Sequence, residues 1–68
     1  MAGAPLGEII DQVFTYLVNH PDGTRLTELE EEFSLSRIQV VKALHALTDA
    51  YKIEKRDQLY FANQRVQS

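Results

Sequence analysis

The 68-residue sequence predicts one mainly helical α+β domain, with three helices followed by a two-stranded hairpin. Three observations carry this. Apolar residues recur at helical spacing over residues 6–18, 27–33 and 37–50. Turn chemistry separates those stretches, first Asn19-His20-Pro21-Asp22-Gly23 and then Phe33-Ser34-Leu35-Ser36. Beyond residue 50 the pattern changes to two short β-prone runs around Arg56-Asp57-Gln58.

The first helix is predicted from Leu6 to Val18. Leu6, Ile10, Val13, Phe14 and Leu17 form a broad apolar face, and Ile9 and Tyr16 widen it to one side. That excess makes helix 1 a candidate homodimer seam. Pro21 cannot continue the helix, and Asp22-Gly23 tolerates positive φ. Residues 24–26 offer a short first strand. Thr27 is read as the cap of helix 2, with Glu30 closing a capping box and Leu29 and Phe33 turned inward. The run Glu30-Glu31-Glu32 reads as a solvated face rather than a metal or acid/base site.

Leu35 is expected to plug the core, and Ser36 to cap helix 3 over residues 37–50. Ile38, Val41, Leu44 and Leu47, with Val40 at the edge, are read as its inner stripe; Gln39, Lys42, Ala43, Ala46 and Ala50 are read as the outer one. His45 falls at the boundary, as a core-edge histidine bonded to backbone. The hairpin strands are residues 52–56 and 59–62. A three-residue loop pairs Ile53 with Phe61, whereas a loop one residue shorter turns Tyr60 inward, and both registers stay open. Residues 1–5 and 63–68 read as loose ends of a single domain ordered over about residues 6–62.

Composition excludes several function classes. There is no cysteine, and His20 and His45 are too few for a zinc site without a suitably spaced carboxylate. No nucleophile–base pair, glycine-rich phosphate loop or metal spacing stands out, so the chain reads as neither an enzyme nor a cofactor carrier. No apolar run reaches membrane length, and the opening MAGAPLGE lacks the features of a signal peptide. A soluble intracellular protein is expected, with cytoplasm, organelle and nucleus undistinguished. Net charge is −3, but unevenly spread. Residues 1–35 hold one cation, Arg25, against seven acids; residues 36–68 hold six cations against three acids. Such asymmetry suits a nucleic-acid face on an acidic body, and equally a dipolar surface with no partner.

The stretch SLSRIQVVKALHALTDAYKIEKR resembles the winged helix-turn-helix superfamily, through Ser36, then Val41, Leu44 and Leu47, then Ile53 and the basic strand. MarR-like regulators share this order, as does the C-terminal winged-helix domain of the middle subunit of replication protein A, which binds partner proteins. The resemblance spans residues 9–62 and implies a fold rather than a function. Three departures stand out. The family usually places glycine after helix 3, where this chain has Tyr51, so a different helix ending is expected. The outer face of helix 3 is rich in alanine where a DNA reader carries polar side chains. The wing lacks the proline of Z-DNA-binding relatives.

Two functional expectations follow. In the first, a transcription-regulator-like module, Ser36, Arg37, Gln39, Lys42 and Ala43 enter the major groove of double-stranded DNA. Lys52, Lys55 and Arg56 then hold phosphates from the wing. In the second, a protein-interaction module, Ala43, Ala46 and Ala50 admit a partner helix, and Tyr51 and Tyr60 anchor it.

Overall fold

The computed structural model describes residues 5–63. The elements run α1 (Leu6–Val18), α2 (Leu26–Phe33), α3 (Arg37–Asp49), β1 (Ile53–Arg56) and β2 (Leu59–Ala62). This is the predicted layout of three helices and an antiparallel wing. Of the expected loose ends, residues 1–4 and 64–68 lie outside the described residues, whereas Pro5 caps α1 and the Asn63 N–H donates to Lys52 O at 2.7 Å. Among the described residues no helix is long and apolar enough to cross a membrane.

The core forms around α3, against which α1, α2 and β1 all pack. Ile9, Val13 and Leu17 enter it from α1, Leu29 from α2, Val40, Ala43, Leu44 and Leu47 from α3, and Ile53 from the wing. Leu35 packs partly buried against it, as expected. Two helical faces differ from the sequence reading. On α1 the buried line is Ile9–Val13–Leu17, and Leu6 is exposed. Ile9 is thus core, not a surplus, and much of the case for a helix 1 dimer seam disappears with it. On α3, Ile38 is 68% exposed and Ala43 is fully buried. The expected stripe from Ile38 to Leu47 spans nine positions. At about 100° per residue that is two and a half turns, so its two ends lie on opposite sides of the helix. Val40, Ala43, Leu44 and Leu47 follow the i, i+3, i+4, i+7 rule and win the core.

The start of α2 also moves. The backbone N–H of Thr24 donates to the Tyr60 carbonyl at 3.1 Å, and the Tyr60 N–H donates back at 2.8 Å. This single bridge is all that forms of the expected first strand. It fixes the chain just ahead of Arg25, so Arg25 rather than Thr27 becomes the cap residue. The Glu28 carboxylate accepts from the Arg25 N–H at 3.2 Å. A guanidinium carries no acceptor, so only this half of a capping box is made. Thr24 is fully buried and its hydroxyl has no partner among the described residues, an unfavourable choice for a core position.

The wing takes the shorter of the two open registers. Ile53 pairs with Ala62 and Arg56 with Leu59, leaving Asp57-Gln58 as a two-residue loop. Both loop residues have positive φ, 51° and 66°, as a type I′ turn requires. Tyr60 therefore packs against the core, and Phe61 takes the other face of the hairpin with Glu54 and Arg56. There the Phe61 ring closes over Gly23, whose φ is 102°. A Cβ at position 23 would stand 2.8 Å from that ring, so glycine is needed for both conformation and space.

α3 ends on a left-handed residue despite the missing glycine. Tyr51 adopts φ 60°. Its N–H donates to Thr48 O at 3.0 Å, and the Lys52 N–H reaches Leu47 O at 2.9 Å. This is a Schellman pair, and it overturns the expectation of a different helix ending. A non-glycine residue there costs about 1–3 kcal/mol. Replacing Tyr51 with Gly should therefore raise stability by about 0.5–1 kcal/mol, after the added freedom of the unfolded chain is subtracted. Thermal melting reads this as a rise of several degrees. A lower melting temperature would mean that the Tyr51 ring contributes more than its exposure suggests.

Candidate nucleic-acid interface

Ser36 caps α3 as the sequence predicts. Its hydroxyl accepts from the Gln39 N–H at 3.3 Å, and its own N–H donates to Gln39 Oε1 at 3.0 Å. This reciprocal box starts the helix. It also occupies both side chains, so Ser36 and Gln39 serve α3 before they can serve a base. Arg37 donates to Glu30 at 3.1 Å, tying the start of α3 to α2. Ala43, expected in the groove, is fully buried in the core instead. Ala46 is half-buried and Ala50 exposed, so the alanines do not form one outward stripe.

With Val40, Leu44 and Leu47 inward, helical geometry turns Ile38, Lys42, His45 and Asp49 outward, and all four are exposed. His45 is thus not the core-edge histidine expected. The histidine beside backbone is His20, whose Nδ1 lies 2.7 Å from Tyr16 O. The outward row carries one lysine, one imidazole, one carboxylate and one apolar side chain.

The wing supplies the remaining cations. Lys52 lies 5.5 Å from the Phe14 ring centroid, Lys55 5.7 Å from that of Tyr60, and Arg56 4.6 Å from that of Phe61. Arg56 is also paired with Glu54 at 3.0 Å. Lys55 and Tyr60 stand between two clefts. One is a cavity of about 320 Å³ where Arg25, Arg37 and Lys55 meet around Thr27 and Gln58. The other runs along α3 past Leu44, His45, Thr48 and Asp49.

The sequence reading missed Arg25, which it counted with the acidic half. The usable signal was the proposed strand at residues 24–26. A residue within a strand that pairs with the wing must lie beside the wing. It brought together Arg37 and Lys55 correctly, but placed Arg56 with them; Arg56 lies on the hairpin's other face, with Glu54 and Phe61. Among the described residues no cluster of three or more His, Asp or Glu side chains is arranged to hold a metal.

Comparison with protein-family models, with curated proteins and with solved structures finds no match to this chain.

Proposed function

We propose that the chain is a small winged-helix module that binds duplex DNA through α3 and the wing, mainly by its phosphates. One observation carries the reading. Arg25, Arg37 and Lys55 come from three separate segments and meet in one cleft, while Lys42 on α3 and Lys52 just ahead of β1 are exposed. α1 and α2 themselves contain no lysine or arginine, so the positive charge of the described residues comes from the Arg25 segment, α3 and the wing. Direct base reading falls to Lys42 and His45, because Ser36 and Gln39 are engaged with each other and Ala43 is buried. Two side chains give little discrimination, so sequence preference should be weak and backbone contacts dominant.

An amide-shift titration with mixed-sequence duplex DNA at low salt tests this. The shifts should map to Arg25, Arg37, Lys42, His45 and the wing, and should vanish as salt rises and counterion release ceases to favour binding. No shift on α3 or the wing at low salt would end the proposal.

A second reading rests on apolar exposure. Ile38 is 68% and Tyr51 84% exposed, both at the ends of α3. Tyr51 is a large amphipathic side chain of the kind that anchors protein partners. In that case Tyr51, with Tyr60 beside the wing cleft, supplies the anchors.

A further inference from the structure

α1 and α2 both pack on α3 and leave a groove between themselves. Its walls are Asp11, Gln12, Thr15, Tyr16, Asn19 and Phe33, around a cavity of about 460 Å³. The floor is aromatic. Tyr16 meets the edge of Phe33 at 5.6 Å between centroids and stacks on His20 at 3.9 Å. The contact of His20 Nδ1 with Tyr16 O holds the imidazole against the phenol ring. Tyr16 and Phe33 are each half-buried, so an apolar surface of fixed shape is offered to solvent.

The surroundings carry one sign of charge. α1 contributes Glu8 and Asp11, and α2 contributes Glu28, Glu30, Glu31 and Glu32, with no cation on either helix. Among the described residues only Glu30 of these six is paired with a cation, Arg37. Partial burial raises the Tyr16 pKa above its usual value of 10, and the nearby Glu28 and Glu32 carboxylates raise it further. Both acids stand on α2, the helix that supplies Phe33 to the groove. Neither helix has a basic residue in its last turn, so both C-terminal dipole ends add to the negative field.

We propose that this groove is a docking site for a basic peptide segment: an aromatic or large aliphatic side chain seated against Tyr16 and Phe33, flanked by Lys or Arg. Charge decides the occupant. An acidic segment, or the DNA proposed for the other face, meets Asp11 in the groove and the α2 carboxylates beside it, with no lysine or arginine on either helix. A neutral one leaves Asp11 and Glu32 uncompensated. A basic one pairs with them and can lay a cation on the Tyr16 face. The groove shares no residue with the α3–wing cleft, so this proposal stands or falls apart from DNA binding.

The probe is a synthetic amphipathic peptide of lysine and leucine with one tryptophan, compared with its glutamate-for-lysine counterpart. The basic peptide should shift the amides of Asp11, Thr15, Tyr16, Asn19 and Phe33, and the acidic one should not. The Asp11→Lys/Glu32→Lys protein should bind the basic peptide at least about tenfold more weakly. Tyr16→Ala should lose a similar factor as a truncated anchor. Should Tyr16→Ala fail to fold, the charge-reversal pair decides alone, because both of its positions are exposed. Equal binding of the two peptides, shifts confined to other surfaces, or indifference to the charge reversal would overturn the proposal. So would self-association of the free protein through these amides, which would make the occupant a second copy of the chain.

Discussion

Truncating Leu44 to alanine should cost about 2–5 kcal/mol, the range for buried leucines. Leu44 is 2% exposed at the centre of the helix on which α1, α2 and β1 all pack. By per-residue scaling a domain of this size holds roughly 3–10 kcal/mol in total. The variant should therefore melt more than about 10 °C below the parent, or be largely unfolded at room temperature. Ile38→Ala is the matched control, on the same helix and equally apolar in type. With Ile38 68% exposed, it should change stability by no more than about 0.5 kcal/mol. Thermal or urea unfolding of the pair reads the rotation of α3 directly. If Ile38→Ala is the costly change, the helix faces the other way, and the outward row Ile38–Lys42–His45–Asp49 is wrong with it.

That rotation was the main point the sequence left hard to read. Element order and the bounds of α1 were legible because turn residues and apolar spacing mark them strongly; Leu6–Val18 is found as predicted. The phase of α3 was not, because Ile38, Val40, Val41, Ala43 and Leu44 offer apolar groups nearly all round its first turns. A stripe spaced by threes looks continuous in a string of letters but winds around the helix. Only packing against α1 and α2 selects among the alternatives, and it selects the set containing a small residue, Ala43. The wing register stayed open for a different reason. A type I′ turn is normally announced by Asn-Gly or Asp-Gly, and here Asp57-Gln58 makes it without glycine. Tyr51 and Ser34 do the same at the ends of α3 and α2, with φ 60° and 54°. This chain repeatedly puts bulky or polar residues where glycine is expected, so the usual punctuation is missing although the conformations are present. The candidate site suffered in the same way. Its wing cations could be read from the sequence, but Arg25 joins them only through the bridge from Thr24 to Tyr60, a long-range pairing of one residue.

Reversing two charges, Lys42→Glu with Lys55→Glu, should lower duplex DNA affinity by at least about 100-fold at low salt while leaving the melting temperature nearly unchanged. Both side chains are exposed, one on the outward row of α3 and the other beside Tyr60 in the wing cleft. Every phosphate that is no longer neutralised should also reduce the slope of log affinity against log salt by about 0.9, so the pair should flatten it by nearly two. Arg56→Glu is the informative contrast. Arg56 already pairs with Glu54 and lies over Phe61 on the other face of the hairpin. Its reversal should act more weakly than that of Lys55, although the two residues are adjacent in sequence. Arg25→Ala should weaken binding too, despite lying within the acidic half of the chain, because its side chain lines the same cleft as Arg37 and Lys55. If the double reversal leaves affinity and salt slope intact, the phosphates are held elsewhere. If Arg56 proves more important than Lys55, DNA approaches the outer face of the wing. If no variant matters because the parent itself does not bind, the exposed pair Ile38 and Tyr51 becomes the surface to explain.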